Sequence, residues 1–355
     1  MNPSKQQVIK VLVVEDSRVV AEFLTHVLTA DPGIQVVGIA ANGEEGLKTA
    51  QQTKPDVITM DIHMPKVNGF EATRRIMETC PTPIVIVSSS VSVADVATSF
   101  QAIEAGALAV VACPPGPGHP YHEVQVKELV VTVKLMSEVK VVRRWPQSRF
   151  MPAIPAVPPV ETQNPPGTIQ AVAIGASTGG PLALRTLLSG LPKDFAAPVL
   201  IVQHMASGFV AGFVEWLAHS SGFPARVATA GESLLPGHAY VAPDDFHLGV
   251  STDHRILLSK DVQENGMRPA VSFLFRSVAA VFGPRAVGVL LTGMGEDGAQ
   301  ELKRLKDAGA LTIAQDQESS VIHGMPGQAI QLGAALQVLP PEAIAKTLTT
   351  VVTKP

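Results

Sequence analysis

The sequence predicts two α/β domains, each built on a doubly wound parallel sheet. Short apolar runs alternate with amphipathic segments, the alternation occurs in two separate stretches, and a proline-rich passage divides them. Buried strands alternating with helices are the mark of a parallel sheet covered on both faces. A chain of 355 residues exceeds one ordinary core and suits two.

In the first stretch, strands are expected at Val11–Val14, Val36–Ile39, Val57–Met60, Ile84–Val87 and Leu108–Val111, with helices such as Val19–Leu28 and Gly69–Thr79 between them. The second stretch repeats the pattern. Strands are expected at Ile169–Ile174, Val199–Gln203 and Val287–Leu291, and helices at Pro181–Leu188 and Phe209–His219. The break reads RRWPQSRFMPAIPAVPPVETQNPPGT, from Arg143 to Thr168. Proline fixes φ and removes amide donors, so such a stretch favours extended chain. The expected domains are residues 1–140 and 168–355, joined by a linker over 141–167. An ordered loop docked through Trp145, Phe150 and Met151 is the alternative.

Composition narrows the function. Hydrophobic residues make up 46% and charged residues 16%, enough for a real core in each half. A formal net charge of -4 disfavours a general nucleic-acid binder, and no basic helix-turn-helix pattern follows the linker. Two cysteines, Cys80 and Cys113, make neither a disulfide framework nor a Cys-rich zinc site, and fit a reducing, cytoplasmic location. The polar segment Met1–Lys10 and the charges at Glu15 and Asp16 indicate a first strand rather than a signal peptide. No apolar stretch is long enough to span a bilayer, so any membrane contact is expected to go through a partner.

A doubly wound sheet places functional residues at the C-terminal ends of its strands. In the first half these ends carry Glu15 and Asp16, then Asp61, then Ser88. Converging carboxylates are costly unless a cation neutralises them, and an oxygen-rich site suits Mg2+. A metal also relieves the repulsion between a carboxylate and the phosphoryl group it attacks. Asp61 is therefore a candidate nucleophile, and Ser88 a candidate donor to phosphoryl oxygens. Taken singly, each residue reads better as a structural one, Glu15 and Asp16 as a helix cap and Asp61 as a turn residue. Taken together, VLVVEDS, MDIHMPKVNGFE and PIVIVSSS resemble the two-component receiver domain, over roughly residues 8–135.

That resemblance implies a flavodoxin-like fold, Asp61 as phosphoacceptor, and Glu15 and Asp16 as metal carboxylates. It also implies a ligand from the His63 backbone carbonyl and a switch hydroxyl from Ser88. The usual lysine before a proline is replaced by Cys113 before Pro114, and the usual switch aromatic by Val110. A thiol cannot supply the missing ammonium charge. His119 or His122 in GPGHPYHE is the alternative source of a cation.

In the second half, AVAIGASTGGPLALRTLL reads as strand, glycine-rich turn and helix, and Gly175–Gly179 matches G-x-S-x-G. Small residues permit a sharp turn that exposes Ser177 at the strand end. Such a turn also cradles phosphates, although the patterns G-x-G-x-x-G and G-x-x-x-x-G-K-[ST] are absent. On the turn alone, nucleophile and anion cradle stand level. A serine nucleophile needs a base and an orienting acid. VLIVQHM places His204 after one strand, and VGVLLTGMGEDG places Asp297 after another. The order Ser-His-Asp differs from that of α/β-hydrolases, where the acid precedes the histidine. His219, His238, His247, His254 and His323 lack metal-ligand spacing and are read as surface or hydrogen-bonding groups. His247 is the one most able to line a cleft.

GASTGGP, QHM and LLTGMGEDG, with YVAP at Tyr240–Pro243 and HGMP at His323–Pro326, resemble the chemotaxis protein-glutamate methylesterases of the CheB family, over roughly residues 168–350. The resemblance implies a Rossmann-like three-layer domain without a cofactor. Ser177 would be nucleophile, His204 base, Asp297 orienting acid, and the Met294 amide an oxyanion donor. It implies demethylation of glutamate methyl esters, and deamidation of glutamines, on the cytoplasmic domain of methyl-accepting chemoreceptors. A chemotaxis histidine kinase would phosphorylate the receiver, and the unphosphorylated receiver would cover the active site. Two rival readings remain: a non-catalytic, phosphorylation-dependent binding module, and a nucleotide-binding enzyme using the Ser177 turn.

Overall fold

A computed structural model describes residues 8–89, 92–139, 141 and 168–352. These fall into two compact units, one on each side of the 142–167 stretch. The expected linker, with Trp145, Phe150 and Met151, lies almost wholly outside the described residues.

The first unit runs β1 (Ile9–Val14), α1 (Arg18–Thr29), β2 (Ile34–Ala40), α2 (Gly43–Thr53), β3 (Val57–Met60), α3 (Gly69–Thr79), β4 (Ile84–Ser88), α4 (Val93–Ala105), β5 (Ala109–Ala112) and α5 (His122–Ser137). The strand order is β2-β1-β3-β4-β5 and every pairing is parallel, the predicted flavodoxin-like winding. β1, β3 and β4 are apolar at nearly every position because helices cover both faces of the sheet. Helix starts are set locally. The side chains of Asn42, Asn68 and Ser92 accept from the amides of Glu45, Glu71 and Asp95. The sheet's winding reverses between β1 and β3, which brings the ends of those strands together at a crevice. Gly69 is required there: a Cβ would stand 2.0 Å from the Asp61 carbonyl oxygen.

The second unit runs β6 (Ala171–Ala176), α6 (Gly180–Ser189), β7 (Val199–Gln203), α7 (Val210–Ser221), β8 (Ala225–Val227), β9 (Ala239–Val241), β10 (His247–Val250), β11 (Ile256–Ser259), α8 (Val271–Phe282), β12 (Ala286–Leu290), α9 (Ala299–Asp307), β13 (Leu311–Gln315), α10 (Met325–Gln331), β14 (Gln337–Leu339) and α11 (Pro341–Val351). Its main sheet is parallel, in the order β14-β13-β12-β6-β7-β9-β8. Helices α6, α7 and α11 pack together, and α8, α9 and α10 form a second group. β10 and β11 form a separate antiparallel hairpin, which the apolar pattern did not predict.

The first strand of this unit ends two residues later than the expected Ile169–Ile174, because Gly175 and Ala176 continue the ladder opposite Val202 and Gln203. Glycine at 175 is a packing requirement: a Cβ would meet Val271 Cγ1 of α8 at 2.3 Å. The strand therefore stops directly before Ser177. The winding here reverses between β6 and β12, so a second crevice opens beside Ser177.

Candidate sites at the two crevices

In the first unit, Glu15 and Asp61 are buried and Asp16 is exposed. One carboxylate oxygen of each lies within 4.8 Å of the others. Burial, followed by the charge of Asp61, pushes the Glu15 carboxyl up to about 7. Burial also raises Asp61, against hydrogen bonds from backbone amides and the nearby His63. The His63 amide donates to Asp61 Oδ2 at 3.0 Å, and its ring Nε2 lies 3.5 Å from Asp95 Oδ1.

Ser88 is buried at the end of β4, and its carbonyl accepts from the Cys113 amide at 2.7 Å, so these two positions are neighbours. Burial, then the charges of Glu15 and Asp61, push the Cys113 thiol up to about 11. His122 Nδ1 lies 2.7 Å from the Pro115 carbonyl oxygen, and His119 Nδ1 accepts from the Tyr121 amide. Two buried carboxyl groups raised by burial, with a third carboxylate beside them, make an oxygen donor set that fits a hard divalent cation.

In the second unit, Ser177, His204 and Thr292–Gly293 follow adjacent strand ends. The Ser177 amide donates to the Thr292 carbonyl at 3.0 Å, and the His204 amide to the Ala176 carbonyl at 2.9 Å. The buried Gln203 amide nitrogen donates to the carbonyls of both Ser177 and His204, each at 2.8 Å. Thr292 is fixed in turn. Its amide donates to Gln315 Oε1 at 2.8 Å, and its hydroxyl sits 2.9 Å from the Thr178 carbonyl and 3.0 Å from that of Ile322. A Cβ on Gly180 would stand 2.1 Å from Gln203 Oε1, so the glycine pair after Thr178 lets the turn close on β7.

His204 Nε2 lies 2.9 Å from Asp297 Oδ2, with both side chains almost fully buried. Both His204 ring nitrogens are buried, and neither meets hydrogen-bond geometry with a partner among the described residues, so the contact of Nε2 with Asp297 is an ion pair. The Asp297 carboxylate also accepts from the amides of Val271 at 2.7 Å and Ser272 at 3.1 Å, from Ser272 Oγ at 2.6 Å and from Asn265 Nδ2 at 3.3 Å. It thereby caps the first turn of α8, where free amides and the helix dipole favour a negative charge. Burial alone would raise this acid. The pairing with His204 and the hydrogen bonds from Ser272 and Val271 outweigh burial and hold it at about 2.

Met294 is 44% exposed next to this pair of strand ends. His247 is fully buried rather than lining a cleft. Its Nδ1 accepts from the Ala270 amide, Nε2 faces the Val262 carbonyl, and the ring stacks on Phe273. His219 and His254 are exposed, and His238 Nδ1 lies 2.9 Å from the Pro236 carbonyl oxygen. The supporting residues Gln203, Ser272, Asn265, Thr292 and Gln315 were not picked out from the sequence. Only Gln203, next to His204, carried a local signal.

Comparison with known proteins agrees with this geometry. Residues 172–348 match the family CheB methylesterase, and residues 11–118 match the response regulator receiver domain. A protein-glutamate methylesterase/protein-glutamine glutaminase of Geobacter metallireducens is 56% identical over 96% of this chain and 98% of its own length. A protein of the same description from Nitrosospira multiformis is 56% identical over 97% of each chain. Among solved structures, the CheB methylesterase catalytic domain of Thermotoga maritima aligns over 52% of this chain and all of its own, with 38% identity and a TM-score of 0.51. The chain belongs to the CheB methylesterase family, with a response regulator receiver domain preceding the methylesterase domain.

Proposed function

We propose that the protein is a receiver-regulated hydrolase that demethylates glutamate methyl esters, and deamidates glutamines, on the cytoplasmic domain of methyl-accepting chemoreceptors. The observation that carries this reading is the Ser177, His204 and Asp297 constellation at the β6–β12 crevice, with Asp297 paired to His204 and kept ionised. Ser177 Oγ attacks the ester carbonyl and His204 takes its proton through Nδ1, the ring nitrogen that is not paired with Asp297. Asp297 holds the imidazole orientation and stabilises its cationic form. The tetrahedral oxyanion is received by the Met294 amide. His204 then protonates the departing methoxide, and water, activated in the same way, releases the glutamate and restores Ser177.

The rival readings find less support. An anion cradle needs free amides, and two of those in the turn, from Ser177 and Gly180, are consumed internally, which leaves fewer to hold a phosphate. An ionised aspartate buried against His204 is the arrangement that orients a catalytic base, which favours hydrolysis over a binding module. Among the described residues no helix is long and apolar enough to cross a membrane, and the substrate reading places the protein in the cytoplasm. Methanol release from a methylated receptor fragment tests the proposal. Release is expected, and it should rise with a small-molecule phosphodonor. Absence of release under both conditions would refute it.

In the receiver, Asp61 is the proposed phosphoacceptor, phosphorylated by a chemotaxis histidine kinase. Glu15, Asp16, Asp61 and the His63 carbonyl would hold Mg2+, with Ser88 bonding the phosphoryl oxygens. When bound, the ion would offset the charge between the carboxylate and the incoming phosphoryl group. Cys113 is neutral at pH 7, so it adds no charge to the phosphorylated state. A charge-assisted hydrogen bond contributes about 1.5–3 kcal/mol. Restoring one should therefore enlarge the switch by about tenfold or more. Cys113→Lys is expected to raise the fold-activation by a phosphodonor above that of the wild type. Equal activation in the two proteins would count against this role.

A further inference from the structure

The peptide joining Gly293 to Met294 is trans, the cis bond among the described residues being Arg268–Pro269. A planar trans peptide points its carbonyl and its N–H in opposite directions. The Gly293 carbonyl accepts from the Gly324 amide at 3.1 Å and from the Met325 amide at 2.9 Å. The Gly293 N–H donates to the Ile322 carbonyl at 3.0 Å, so the turn from Ile322 to Met325 grips this residue at both its polar groups. Ser177 lies against the same residue: a Cβ on Gly293 would stand 2.7 Å from Ser177 Cβ and 3.2 Å from its amide nitrogen.

We infer that the Gly324 and Met325 amides are positioning groups, which hold the Gly293 carbonyl away from Ser177 and so aim the Met294 N–H at the developing oxyanion. The inference rests on the proposed roles of Ser177 and Met294. Without the two bonds the peptide is free to rotate and to present its carbonyl where a donor is needed, and a carbonyl oxygen repels an oxyanion. Gly324 serves this arrangement sterically. Its φ of -80° is open to any residue. A Cβ there would nevertheless stand 2.7 Å from the Gly293 oxygen and 3.0 Å from the Gly295 amide nitrogen. Glycine is needed because the carbonyl it positions is so close.

Gly324→Ala in the whole chain tests this, with Gly327→Ala, in the following helix α10, as a control. A Cβ at 327 would meet the His323 ring at 3.0 Å, with no Gly293 atom among its nearest neighbours. Methanol release from a methylated receptor fragment gives kcat and KM, and thermal melting reports folding. Gly324→Ala is expected to lower kcat by about 10²–10³-fold, the usual effect of losing one oxyanion donor, at nearly unchanged KM. Gly327→Ala should keep the wild-type kcat. A folded Gly324→Ala with wild-type kcat, or an equal loss in both variants, overturns the inference.

Amide hydrogen exchange in the wild type gives a second reading that depends on no variant. The Gly324 and Met325 amides should be protected, and the Met294 amide should become protected only when a phosphonate occupies Ser177. Rapid exchange at Gly324 and Met325 also overturns the inference. Full activity in Ser177→Ala would instead remove the reading of the site on which the inference depends.

Discussion

Ser177→Ala is expected to abolish methanol release from a methylated receptor fragment while leaving both domains folded. The hydroxyl is the atom that forms and breaks the acyl bond, so no neighbouring group replaces it. Removing a member of a Ser-His-Asp triad lowers turnover by on the order of a millionfold, and what remains comes from binding and oxyanion stabilisation. The fold should tolerate the change. The turn is held by main-chain bonds from Ser177 and Gly180, and by the Gln203 side chain, all of which alanine preserves. Turnover measured beside a melting curve separates the two effects. A folded variant that keeps a sizeable fraction of wild-type turnover would exclude Ser177 as the nucleophile.

The second large effect concerns Asp61. Asp61→Asn is expected to eliminate labelling by small-molecule phosphodonors, because the neutral amide is not a nucleophile. EDTA should have the same effect on the wild type. The pH dependence follows from Glu15, whose carboxyl sits at about 7 against an ordinary 4.5. Between those two values the folded receiver binds more protons than the unfolded chain, so without a metal its stability falls as pH rises through that window. A divalent cation must displace the same proton, so its affinity rises as pH rises through about 7. Titration of Mg2+ at pH 6 and pH 8 should therefore give tighter binding at pH 8. Equal affinities, or undiminished labelling of Asp61→Asn with EDTA present, would show that these carboxylates do not form the phosphorylation site.

Much of this was legible before any coordinates. The strands Val57–Met60 and Val199–Gln203 and the helix Gly69–Thr79 stand where the apolar pattern put them, because strands buried on both faces must be apolar along their length. The β10–β11 hairpin was not legible. Its four-residue strands lie outside the main sheet, and His247 in it reads as polar although it is fully buried. Burial is tolerable there because both ring nitrogens find backbone partners from distant loops, a pairing that no local pattern records.

The sequence by itself determined the two α/β domains and the strand ends that carry Asp61, Ser177, His204 and Asp297. These depend on local apolar runs and on small residues at turns, which are properties of neighbours along the chain. Only the tertiary structure decided the state of those groups. Asp297 is ionised because α8, which begins 26 residues earlier with Val271, turns its first amides and the Ser272 hydroxyl toward it. Glu15 rises because it is buried in the crevice, and the charge of Asp61, brought beside it from the end of a different strand, adds to that. Charge in a low-dielectric interior responds to what lies within a few ångströms in space. That environment is assembled by the winding of the sheet, and the chain's own order does not state it.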